Sequence, residues 1–165
     1  MADTDMLVKL YELKDLKPFI DRIEAEGYHV KRAIMPEMET VCAWVQEHFG
    51  QGWAAECRGC FTNHPVSLYV AYKENEIAGF GCYDSTYKDF FGPTGVDSQL
   101  RGKGLGAALL MSCLHDMKTL GYAYAIIGGA GPVHYYEKVC GATPIEGSLP
   151  SGRSCPHRRK KSVSK

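Results

Sequence analysis

Gly95-Val-Asp-Ser-Gln-Leu-Arg-Gly-Lys-Gly-Leu-Gly106 sets three alternating glycines and two cations between an apolar run and a long amphipathic segment. The run before it, residues 90–96, reads as a strand. Downstream, Leu105, Leu109, Cys113, Leu114 and Met117 fall on one stripe, which predicts a helix over 104–120 with Gly121 as its stop. The first turn of a helix has backbone N–H groups without intrahelical partners and a partially positive end. Glycines there let a diphosphate come close to the backbone, and Arg101 and Lys103 add charge. A tight strand-to-helix turn and nothing more would account for the glycines but not for the cations.

Two common phosphate loops do not fit. A P-loop carries Ser or Thr directly after its lysine, and here Gly104 follows Lys103. The dinucleotide fingerprint G-x-G-x-x-G fails because the spacing is G-x-G-x-G, and no acidic ribose partner stands at the end of the next strand. Nucleotide hydrolysis and hydride transfer are not expected.

Outward from this segment the period of the sequence changes twice. On the N-terminal side, residues 66–72, 77–83 and 90–96 are rich in β-branched and aromatic residues and read as an antiparallel meander, with Pro93 and Gly95 interrupting the last ladder. Before them, Met38, Val41, Cys42, Val45 and Phe49 have the spacing of a helical face ended by Gly50, and a shorter helix is expected over 53–60. Residues 28–33 read as a strand, 16–26 as a helix ending at Gly27, and Val8, Leu10 and Tyr11 as a short strand. On the C-terminal side come an apolar strand over 122–127, a helix over 132–139 opened by proline, and a last strand over 142–145. The order predicts a layered α/β fold whose strand–helix–strand crossover puts two strands in parallel.

The bulk composition bounds the answer. At 165 residues, 45% hydrophobic and 23% charged, the chain suits one domain, taken as residues 1–150. No apolar run approaches the ~18 residues of a membrane span, and the charged beginning lacks a secretory h-region, so a cytoplasmic location without membrane partners is expected. Seven cysteines, odd in number and irregular in spacing, read as small core residues rather than a disulfide framework. The zero net charge hides an asymmetry. Of 19 Lys and Arg, six lie in 151–165, a tail without an acid that reads as a solvated, disordered end; the body keeps 13 against 19 acidic groups. So acidic a body matches a nucleic-acid backbone poorly, and nucleic acid is not expected as a partner.

Arg101, Gly104 and Gly106 fit R-x-x-G-x-G, and one strand and one helix later comes Tyr135-Tyr-Glu-Lys-Val-Cys-Gly-Ala142. The first resembles the pyrophosphate motif of the GNAT superfamily of N-acetyltransferases, and the second is similar to that family's tyrosine-bearing helix end. The resemblance covers about 31–147, leaving residues 1–30 as an N-terminal extension. Within the superfamily the chain looks like a group of bacterial GNAT-like proteins of undefined substrate.

The resemblance implies a mixed sheet: an antiparallel meander, then a parallel pair splayed at a cofactor slot, with helices on both faces. It implies acetyl-CoA as cosubstrate and transfer of its acetyl group to a primary amine by direct attack. A non-catalytic acetyl-CoA-binding module is the alternative, and a homodimer stays open because dimers are common in the family. It further implies that backbone amides of Leu100, Arg101, Gly102, Lys103, Gly104, Leu105 and Gly106 bind the pyrophosphate. The strand edge at Val96 would pair with the pantetheine arm, and Tyr136 would protonate the leaving thiolate, Tyr135 being its neighbour and rival. Asp84, at the end of the second meander strand, is the candidate base, with Asp97, Glu137 and His134 open beside it. Two places depart from the family pattern: Gly128-Gly-Ala-Gly-Pro132 stands where many members carry asparagine, and Cys140 adds a residue before Gly141.

Cys57-x-x-Cys60 with His64 could form half a metal site, but no second paired set is present. Trp44, Phe49 and Trp53 read as core or as one wall of an acceptor cleft, packing being the plainer reading.

Overall fold

The computed structural model describes residues 4–148. Its elements, in chain order, are β1 (Thr4–Lys9), α1 (Lys17–Glu24), β2 (His29–Arg32), α2 (Met38–Phe49), α3 (Gln51–Cys60), β3 (Leu68–Lys73), β4 (Glu76–Tyr83), β5 (Phe90–Val96), α4 (Leu105–Thr119), β6 (Tyr124–Ala130), α5 (Val133–Cys140) and β7 (Thr143–Pro144). The strands form one sheet in the order β2-β3-β4-β5-β6-β1-β7. The meander β2 to β5 is antiparallel, and β5 pairs with β6 in parallel through the α4 crossover.

The helices cover both faces. Against one, α2 and α3 bury Val41, Val45, Ala54 and Cys57 with Val70, Phe80 and Cys82. Against the other, α4 buries Leu105, Ala108 and Leu109 with Ile23 of α1 and with Ala71 and Ala78. Farther along, Leu110, Met111, Leu114 and Met117 share a core with Tyr136 and Cys140 of α5. This two-sided burial explains why α4 is apolar over most of its circumference rather than along a narrow stripe.

Residues 4–30 are not an appendage. β1 lies inside the sheet, antiparallel to β6 on one side and to β7 on the other. Met6, Val8 and Leu10 are fully buried. Burying each such side chain is worth roughly 1.5–3 kcal/mol, so this strand belongs to the core. Its insertion also resolves the register after Cys140. Gly141 ends α5 in the left-handed region, and β7 then pairs with β1 and not with β6. The basic tail lies outside the described residues.

β6 runs farther than its sequence suggests, through Gly128 and Gly129 to Ala130. β1 supplies the reason: Thr4 pairs with Ala130, and the buried Asp5 carboxylate accepts the Gly129 amide at 2.9 Å. In β5, by contrast, the ladder with β4 shifts register between Gly81 and Tyr83, opposite Gly92 and Pro93. Beyond that bulge β5 leaves β6: among the described residues the two pair only at Phe90↔Ile126 and Phe91↔Ile127.

Candidate active site

Where β5 and β6 part, a cavity of about 770 Å³ opens between them, α1, the start of α4 and α5. Phe91, Thr94, Gly95 and Val96 form its β5 wall, Leu100 to Gly102 and Gly104 to Ala107 its floor, and Tyr135, Tyr136, Lys138 and Val139 its α5 wall. Four cations line it: Lys14, Arg22, Arg101 and Lys138. Among the described residues no carboxylate does, although the body of the chain carries an excess of acids.

The floor is built by the turn between β5 and α4. Asp97 accepts the Gln99 amide at 2.9 Å and starts a short 3₁₀ turn over Ser98–Leu100. Gly102 and Gly104 then adopt φ of +85° and +90°, so the backbone doubles back before α4 begins at Leu105. Side chains rarely tolerate that region, which is why glycine is needed there. On the opposite face of β5, the Phe49 ring packs on Gly95 so closely that an added Cβ would meet it at 2.5 Å. Phe49 stacks on Trp53, and Trp44 on His48, in one aromatic cluster with Phe80. These rings pack over the sheet.

Of the residues expected at the site, Val96, Leu100, Arg101, Gly102, Gly104, Leu105, Gly106 and Tyr136 meet at this cavity. Lys103 does not. It turns outward to Glu26, 2.9 Å away. Tyr136 is only 9% exposed, and burial raises its phenol above the ordinary range. Tyr135 lies nearer the mouth, its hydroxyl 3.4 Å from where a Cβ on Gly106 would stand, and burial pushes its phenol up to about 12.

Asp84, the candidate base, is at the other end of β5. Its backbone amide bonds to the Phe90 carbonyl, and its carboxylate accepts the Asp89 amide at 2.7 Å and the Tyr122 hydroxyl at 2.9 Å. It does not line the cavity, because antiparallel pairing carries the end of β4 to the start of β5, away from the splay. The other candidates are also engaged elsewhere. Asp97 caps the turn and faces His48 at 3.6 Å, while Glu137 and His134 pair with each other at 3.0 Å on the exposed side of α5.

Arg22 was missed by the sequence reading. It sits on α1, where only its apolar neighbours are periodic, and no local signal marks a cation that reaches α4. Its guanidinium lies over Gly104 and donates to the Gly102 carbonyl at 3.1 Å. Cys57 and Cys60 face different partners: Cys57 Sγ is 3.8 Å from Cys82 Sγ, and Cys60 Sγ faces the Tyr83 carbonyl. Among the described residues no group of three or more His, Cys, Asp or Glu side chains could hold a metal ion, and no helix is long and apolar enough to cross a membrane.

Comparison with known proteins agrees with this geometry. The profile of the acetyltransferase (GNAT) family matches residues 27–142. No curated protein matches the sequence. Among solved structures, a glucosamine N-acetyltransferase region of a fungal multi-domain β-N-acetylglucosaminidase superposes with a TM-score of 0.72 at 15% identity, covering 87% of this chain and 20% of that one. A GCN5-related N-acetyltransferase from Sphaerobacter thermophilus gives 0.66 at 17% identity, covering 88% and 50%. Another from Kribbella flavida gives 0.59 at 14% identity, covering 87% and 55%. The chain therefore spans about half or less of the length of these three, and the likeness is one of fold.

Proposed function

The chain belongs to the GNAT acetyltransferase family, and from that membership we propose that it moves the acetyl group of acetyl-CoA to a primary amine of a small acceptor by direct attack. The observation that carries the reading is the cavity at the β5–β6 splay, walled among the described residues by four cations and no acid and floored by the glycine turn. A diphosphate cofactor fits such a site, because cations and unpaired helix-start amides both favour its charge. The inner edge of β5 from Gly92 to Val96, unpaired with β6 among the described residues, can hydrogen-bond an amide-bearing arm.

The thioester supplies an activated acyl group and a thiolate leaving group. The chain's part is to hold and protonate. Tyr136, buried and with its pKa raised, keeps its proton at neutral pH and is the candidate acid for the departing sulfur. Among the described residues no carboxylate lines the cavity, and Asp84 is not assigned as the base.

Thermal unfolding with acetyl-CoA, coenzyme A and ATP tests the reading. Saturation at ~100 times Kd adds about 2.7 kcal/mol, a melting shift on the order of 5 °C for a domain of this size. A shift with both coenzymes and not with ATP is expected. No shift with either would reduce the cradle to a turn. Thiol release on adding pooled amines then separates an enzyme from a binding module.

A further inference from the structure

We propose that Arg22 is a ligand for the diphosphate of coenzyme A, delivered to the cradle by α1. The inference rests on the coenzyme reading above and adds a residue outside the matched region. α1 crosses the start of α4, and Ile23 is buried against Leu105 and Leu109 in their shared core, which fixes the direction of the next side chain along. An added Cβ on Gly104 would stand 3.0 Å from Arg22 Cδ and Nε. Gly104 is thus required twice, by its left-handed φ and by the approach of Arg22.

The acids around Arg22 make their closest ion pairs with other cations, although Glu26 lies near enough to feel its charge. The three acids nearest it in sequence face other partners: Asp21 faces Lys17 at 2.6 Å, Glu24 faces His29 at 3.8 Å, and Glu26 faces Lys103 at 2.9 Å. Lys103, turned outward, is the closest cation to Glu26. Among the described residues Arg22 makes no ion pair, and its one hydrogen bond is to the Gly102 carbonyl. A guanidinium has five N–H donors in a planar fork, so donors remain free at the cradle. Bidentate pairing with phosphate oxygens is the use to which such a fork is best suited.

The test is calorimetric titration of the unaltered protein, Arg22→Ala and Arg22→Lys with coenzyme A and with 3′-dephospho-coenzyme A, which keeps the diphosphate. Losing a charge-assisted hydrogen-bonded pair should weaken both ligands by the same factor, roughly 10- to 100-fold, with Arg22→Lys between. The melting temperature without ligand should be unchanged in both variants, because Arg22 contacts the cradle through one carbonyl. Unchanged affinity in Arg22→Ala would overturn the proposal. So would tighter binding, since the side chain would then be an obstruction, or a loss that disappears with the dephospho ligand, since Arg22 would then act on the ribose phosphate. If the unaltered protein binds neither ligand, the coenzyme reading itself fails, and that is seen before any variant is made.

Discussion

The two ends of the β5–β6 pair are built from the same two strands and have opposite characters. At the closed end Phe90 and Phe91 pair with Ile126 and Ile127, and Asp84, Asp89 and Tyr122 knot the loop before β5 to the strand beside it. That end is acidic. At the open end the ladder stops, glycines replace side chains, and the lining cations are Lys14, Arg22, Arg101 and Lys138. A slot between two parallel strands needs both ends. The closed one fixes the angle of separation, and the open one supplies the charge and the unpaired backbone that a ligand requires.

The difference can be attacked from either end, and the open one should respond most. Tyr136→Phe keeps the ring and removes the proton, so turnover should fall by roughly 10²- to 10⁴-fold while coenzyme affinity holds; a rate within twofold of the parent would take Tyr136 out of the chemistry. Next comes Gly104→Val, which forces a β-branched residue into φ of +90° and against Arg22. Coenzyme affinity should drop by about 10- to 100-fold, from strain on the order of 1–3 kcal/mol at the cradle. Titration with coenzyme A reads it directly, and retained affinity would show that the turn is not the binding element.

At the closed end the effects should be smaller and confined to stability. Tyr122→Phe removes the hydroxyl that Asp84 accepts, for a loss of about 1–2 kcal/mol after allowing for its partial exposure. Denaturant melts measure it; a change in coenzyme affinity without one in stability would contradict the division of labour. Asp89 gives the smallest signal. Burial, with Asp84 nearby, raises its carboxyl from 3.8 to about 6, and one of its oxygens is buried without a partner among the described residues. A raised acid holds its proton more tightly in the folded state, so its contribution is complete below pH ~4 and is lost as pH climbs through 6. The parent should therefore lose stability between pH 4 and 6 relative to Asp89→Asn, and parallel curves across that window would refute the assignment.

The local structure of this chain was largely legible, and the reason is periodicity. Met38–Phe49 and Phe90–Val96 begin and end where their apolar spacing and glycine stops put them. The glycine turn was legible because positive φ and close approach leave a visible residue type behind. Partnership was not legible. Nothing in Thr4–Lys9 says that it slots between β6 and β7, because alternation reports a strand's faces and not its neighbours. Likewise Lys103 looked like a cradle cation until Glu26, from another helix end, drew it away, and Asp84 looked available until Tyr122 and Asp89 engaged it.

The place of β1 between β6 and β7 also orders events in time. Thr4 waits for Ala130, and Leu7 for Thr143, so β1 pairs only with strands that follow it by more than a hundred residues. Until then its greasy alternate residues, Met6 and Val8, have no permanent shelter. Such distant contacts slow folding and lengthen the interval in which a nascent chain can stick to its neighbours. The slot inherits this schedule: its β6 wall gains the Asp5 contact only when β1 has reached the far end of β6.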